Sequence, residues 1–355
     1  MFRSRASGRK SAKARPDGGL TGGLTGGLTA SPASIASDAA SAAARGPGPA
    51  VPAPGSAESG AAPGSAESGA GPAGRDPGGP APPGLDVSAP HPARVWNYWL
   101  GGRDYFAADR AAGEEIGREF PHLAETARAE RAFLVRAVRF LAGPARIRQF
   151  LDIGAGLPAG GNTHEIAQRI APDTGIVYAD NDRDVLVHAR ALLRSPMLAS
   201  SAEGIVSYVG ADLRDVTTVL AGSARTLDHA RPVALIMLGV LGHIDDYGAA
   251  RSITSQLMAA LPPGSYLAIA DGVATSEYLD SAQCRYNAQR RYHGNAPVPY
   301  HLRRPDQIAS FFDGLDLVEP GVVPCPRWKP DAPGAPGAGP PADRADAYCG
   351  VARKP

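Results

Sequence analysis

Residues Phe150–Asn162 read FLDIGAGLPAGGN: four mostly apolar residues run into a cluster of glycines, with Asp152 just ahead of the first. An apolar run ending in glycines predicts a buried strand followed by a tight turn. In an open parallel sheet such turns lie at the ligand-binding edge. The flanking sequence has the same grammar. Strands are expected at 148–154, 175–180, 204–212, 232–240 and 264–271, with helical or mixed segments at about 162–171, 183–194, 213–221 and 246–261. Apolar strands alternating with helices predict an α/β fold built on a doubly wound, mostly parallel sheet.

Outward from this core, the chain closes with the helix RPDQIASFFDG and two strands, LDLVEPGVV and AYCGVARKP. The strands are joined by DAPGAPGAGPPADRAD, which reads as a long mobile loop; without a helix between them they should pair antiparallel. Ahead of the core, ARVWNYWLGGRDYFAADRAAGEEI is rich in aromatics, breaks at Gly101-Gly102, and turns helical from about Phe106. A second helix, HLAETARAERAFLVRAVRFLA, places Leu134, Val138 and Leu141 on one face. Residues 89–145 are thus expected to form a helical cap and 146–355 the sheet core. Residues 1–88 are Ala, Gly, Pro and Ser with hardly a large apolar side chain, too little to offset backbone ordering of about 1–2 kcal/mol per residue, and predict a disordered tail.

Composition excludes several classes. The net charge is +1 over 355 residues, so no electrostatic footprint for DNA or RNA is expected despite the basic start, Arg3 to Arg15. The longest apolar run, PVALIMLGVLG, falls short of the roughly 20 residues a membrane span needs. No apolar stretch follows the basic start, so no export signal is read there. Cys284, Cys325 and Cys349 show neither metal spacing nor a disulfide framework, and no metal site is expected. A reduced, cytoplasmic protein is the expectation.

Two cofactor classes use a strand-to-glycine turn, the dinucleotides and S-adenosylmethionine. Gly154, Gly156 and Ala159 satisfy the dinucleotide pattern G-x-G-x-x-A, and Asp180 lies at the distance of a ribose-binding acid. Three features oppose that reading. Asp152 sits where a dinucleotide strand commonly ends in glycine or an apolar residue. Pro158 and Gly160-Gly161-Asn162 lengthen the turn, so no helix N-terminus follows closely enough to hold a pyrophosphate. The third strand also ends in an acid, Asp212. Acids at three successive strand ends suit a sulfonium, an amino group, a ribose diol and an adenine amine better than a pyrophosphate. The cofactor read from the sequence is therefore S-adenosylmethionine.

Each role follows from position. Gly154 and Gly156 would let the backbone approach the methionine part; Asp152 would hold the loop and face the amino group, with Asn162 closing the turn at the cofactor. Asp180 would accept both ribose hydroxyls, with Asn181 beside it and Asp182 as its rival. Asp212 would take the adenine amine, with Leu213 against the ring. His243, after the fourth strand, lies where the methyl group should point, as general base or as a residue shaping the pocket. Tyr98 and Tyr105 are weaker catalytic candidates. Trp96 to Asp109 could close as an aromatic lid hinged at Gly101-Gly102.

PARVWNYWLGGRDYFAADRAA, FLDIGAGLPAGGNTHEIAQ, VYADNDRDVLVHARALL, ADLRD and GLDLVEPGVV together resemble a family of actinobacterial S-adenosylmethionine-dependent methyltransferases, over essentially Pro90 to Pro355. The resemblance implies the seven-strand class I methyltransferase fold and methyl transfer, but no particular acceptor. One departure is GVLGHIDD, where the family's fourth-strand motif would carry an aliphatic-aromatic pair before the acids. Methyl transfer to an oxygen or nitrogen of a small-molecule acceptor is the expectation; an NAD-dependent oxidoreductase and a non-catalytic S-adenosylmethionine-binding regulator are the rivals.

Overall fold

A computed structural model of the chain describes residues 86–182, 185–187, 204–274, 300–330 and 346–355. The tail up to residue 85, most of the helix expected at 183–194, the stretch 275–299, which includes Cys284, and the loop at 331–345 lie outside the described residues. The first expected strand is β1, Gln149–Ile153, buried along its whole length. Parallel to it run β2 (Gly175–Asp180), β3 (Val206–Gly210), β4 (Ala234–Leu238) and β5 (Tyr266–Gly272).

The sheet order is β3-β2-β1-β4-β5-β8-β6, with β8 (Ala347–Arg353) antiparallel to β5 and to β6 (Asp316–Leu317). The antiparallel pairing expected of the last strands is therefore present. An eighth strand, β7 (Val323–Pro324), also pairs with β8. Seven strands were expected, because LDLVEPGVV reads as one. The chain splits it into two short pieces at Pro320, which has no N–H to donate, and Gly321, whose φ is 85°.

Alternate side chains of the central strands feed two cores, which is what covering both faces requires. Leu151, Val177, Leu235 and Leu267 face α5 (Val216–Ser223) and α6 (Tyr247–Ala259). Phe150, Ile176, Ile236 and Ala268 face α3 (Leu123–Ala142), while α4 (Thr163–Ile170) packs on α3 and β2. The predicted stripe of α3 holds: Val138 and Leu141 are fully buried and Leu134 nearly so, each side chain contributing about 1.5–3 kcal/mol by leaving water. Trp328, fully buried, meets Phe133 and Phe140 edge-on. RPDQIASFFDG forms only a short helix, α7 (Pro305–Ala309), continued by a 3-10 turn.

The cap has a core of its own. Between α1 (Pro92–Trp99) and α2 (Ala107–Glu119), Val95, Ala112, Ile116 and Phe120 are buried. Buried Asp109 accepts hydrogen bonds from His91 N at 2.8 Å, Arg94 Nε at 2.9 Å and Phe106 N at 2.8 Å. The turn at Gly101-Gly102 is braced at Gly102 by Asn97. A Cβ on Gly102 would lie 2.2 Å from Asn97 Oδ1, and that oxygen accepts from Asp104 N.

Cys325 and Cys349 are both buried; burial, followed by the neighbouring Cys349 thiol, pushes the Cys325 thiol well up. Among the described residues, no helix is long and apolar enough to cross a membrane.

Candidate active site

The strand order reverses between β1 and β4, and the crevice at their carboxyl ends is where the glycine turn sits. The two glycines do different things there. Gly154 has φ 71°, and a Cβ on it would lie 1.9 Å from Val240 Cγ1, so its missing side chain lets the chain pass the exit of β4. Gly156 has φ 64°, and a Cβ on it would meet nothing within 4 Å. The space beside Gly156 is therefore open.

The rest of the loop is held from α3. Arg131 donates to Ala159 O at 2.7 Å, Gly160 O at 3.1 Å and Asn162 Oδ1 at 2.9 Å. Asn162 also accepts from Ala159 N and donates to Glu165 Oε1 at 2.7 Å. Its amide is therefore engaged in the loop itself, on both its oxygen and its nitrogen. Asp152, 6 % exposed, accepts from Thr163 Oγ1 at 2.6 Å and so ties the end of β1 to the first residue of α4. Burial pushes its carboxyl up to about 6, although the Thr163 bond and the charge of Arg131 pull the other way.

Asp180, at the end of β2, accepts from Gly156 N at 3.1 Å through Oδ2 and from Asp182 N at 2.9 Å through Oδ1. Each oxygen retains a second lone pair. Burial raises its pKa from the ordinary carboxylate value, against the pull of those two bonds. Asn181 Nδ2 reaches Asp212 Oδ2 at 3.1 Å, linking the ends of β2 and β3. Asp212 also accepts from Arg214 N at 2.8 Å and pairs with its guanidinium at 3.1 Å. Arg214 in turn donates to His243 O, so the third and fourth loops are joined. Leu213 is half-buried against the core. Asp182 is turned towards the cap, its Oδ2 3.1 Å from His91 Nδ1.

At the end of β4, a 3-10 turn, Leu241–His243, carries His243, whose ring stands edge-on to Tyr300 with centroids 5.0 Å apart. Tyr300 Oη donates to Asp271, which also accepts from Gly242 N at 2.9 Å and Gly272 N at 3.0 Å. Arg303, buried, donates to Ile244 O at 2.7 Å. Tyr98 and Tyr105 pair edge-on at 5.1 Å, with Tyr98 against Gly113 of α2. Trp96 of the cap reaches the end of β4, its Cη2 4.0 Å from where a Cβ on Gly239 would be.

Sequence reading missed Arg131, Asp271, Tyr300 and Glu130. Two of them left a signal. Asp271 ends GSYLAIAD as Asp180 ends GIVYAD, and Glu130 stands four residues before Leu134, an acid on the apolar stripe of α3.

A family profile described as S-adenosyl methyltransferase matches residues 79–355. A protein of the DUF574 family from Streptomyces avermitilis has a solved structure with 39 % sequence identity; the match covers 76 % of this chain and 99 % of that one, with a TM-score of 0.67. A protein of Thermobifida fusca described as a candidate methyltransferase is 38 % identical over 77 % of this chain and 98 % of its own, with a TM-score of 0.66. No curated protein matches the chain.

Proposed function

The chain belongs to the S-adenosyl methyltransferase family and is an S-adenosylmethionine-dependent methyltransferase; on that premise we propose that it methylates an oxygen or nitrogen of a small-molecule acceptor, with His243 beside the reacting atoms. The observation that carries this reading is the crevice itself. Acids end β1, β2 and β3, open space lies at Gly156, and His243 with Tyr300 stands at the neighbouring end of β4.

The residues present fit the cofactor. Asp180 has lone pairs for a ribose diol, in charge-assisted bonds each contributing about 1.5–3 kcal/mol. Asp212 and Leu213 would take the adenine. Asp152 keeps α4 and the glycine loop in place, and Asn162 fixes the turn that lies along the cofactor. When bound, S-adenosylmethionine supplies an electrophilic methyl group. The chain's own part is positioning, which can account for roughly 7–11 kcal/mol of barrier, and water exclusion by Trp96 and the cap. His243 would take the acceptor's proton at its imidazole, a role that typically adds about 10²–10⁴-fold. The buried thiols Cys325 and Cys349 suit a reducing compartment, the cytoplasm.

The test uses methyl-labelled S-adenosylmethionine, the enzyme and a cell extract. Label should appear in molecules small enough to pass a size filter. Label confined to protein or nucleic acid would refute the small-molecule part of the proposal.

A further inference from the structure

Glu130 is an acid that the scheme above leaves without a task. It lies on the buried side of α3, 3 % exposed. Its Oε2 is 3.3 Å from where a Cβ on Gly239 would sit, and Trp96 approaches the same point. The carboxyl is therefore at the carboxyl end of β4, beneath α1 and beside the loop that carries His243. Gly239, with φ 64°, keeps that space clear of a side chain.

Among the described residues, no hydrogen-bond donor or cation meets this carboxyl. Asp109, equally buried, gathers three donors, as buried carboxylates ordinarily do. The surroundings of Glu130 are negative instead. Burial first, then the charge of Asp271, raises its acid well above the usual carboxylate range. Asp271 itself is satisfied by Tyr300, Gly242 N and Gly272 N.

We propose that Glu130 is the acceptor-binding carboxylate and that the acceptor presents a basic nitrogen to it, an amine rather than a phenol or a carboxylic acid. The proposal rests on the methyltransferase reading above and narrows it. An amine supplies a donor that the described residues do not give the Glu130 carboxyl, and its positive charge offsets both acids. The indole of Trp96, whose Cη2 approaches the same point, is an apolar neighbour that keeps water from it. A phenolate or carboxylate would instead bring a further negative charge into a space where like charges are poorly screened.

The experiment fractionates labelled product by charge. Wild-type enzyme and Glu130→Gln are incubated with methyl-labelled S-adenosylmethionine and the small-molecule fraction of a cell extract. Gln keeps the size of the protonated side chain and removes the charge, so a residue that only fills space would tolerate it. The expected product is retained on a cation exchanger under mildly acidic loading. Transfer by Glu130→Gln should fall about tenfold or more, with a raised KM for the acceptor fraction and unchanged cofactor affinity by calorimetry. A neutral or acidic product, undiminished transfer in Glu130→Gln, or a loss of cofactor affinity in that variant would each overturn the assignment. If Glu130→Gln fails to fold, the charge of the wild-type product still decides. Cofactor binding with label in no fraction would overturn the transfer reading itself, and this inference with it.

Discussion

Replacing Asp152 by Asn removes a charge that the folded protein holds at a cost. The residue is 6 % exposed, and burial moves its pKa from 3.8 to about 6. A shift of about 2 units, at about 1.4 kcal/mol each, corresponds to about 3 kcal/mol. The sign follows from which state holds the proton more tightly. Below the unfolded value both states are protonated and no penalty exists. As pH rises towards about 6, the unfolded chain ionises first, and the folded state loses stability relative to it. Above about 6 the penalty is complete. Asn keeps an oxygen that can accept the Thr163 hydroxyl, so the tie from β1 to α4 survives the change. Urea unfolding, followed by circular dichroism at a series of pH values, should show wild type losing about 3 kcal/mol relative to Asp152→Asn between about pH 4 and pH 7. Parallel profiles for the two proteins would refute the reasoning: Asp152 would then ionise as freely when folded as when unfolded.

Asp180→Ala should weaken S-adenosylmethionine binding by about 2 kcal/mol, some thirtyfold, in calorimetry; unchanged affinity would remove Asp180 from the ribose. The two loop glycines should separate by phenotype. Gly154→Ala, which drives a Cβ into Val240, should lower stability by at least about 2 kcal/mol in chemical denaturation. Gly156→Ala should cost only about 1–2 kcal/mol of stability while weakening cofactor binding, and equal effects of the two on both readouts would contradict the division. His243→Gln should reduce the transfer rate by about 10²-fold or more at unchanged cofactor affinity; an unaltered rate would leave the imidazole a role in shaping the pocket only.

Much of the fold could be read because β1, β2, β4 and β5 are largely apolar runs of strand length alternating with helical segments, the pattern of a sheet covered on both faces. The strand ends followed from the same pattern, which is why Asp152, Asp180 and Asp212 are legible in the sequence. What the side chains do there was less legible, because it depends on neighbours far away in the chain. Gly154 yields to Val240, Asn162 is engaged by Arg131 from α3, and Tyr98 and Tyr105 turn to each other and to α2. The break of LDLVEPGVV into β6 and β7 could have been read from Pro320. Helical spacing could mark Glu130 as an acid on the buried face of α3, but it says nothing of whether that acid has a partner.

The measurement that bears most directly on this site is a crystal structure of the protein with S-adenosylhomocysteine. The account predicts the ribose hydroxyls on Asp180, the adenine between Asp212 and Leu213, the amino acid part along Gly156, and the sulfur facing the space between His243 and Glu130. A ribose held by Asp182 or another residue, or a sulfur directed away from the end of β4, would contradict it.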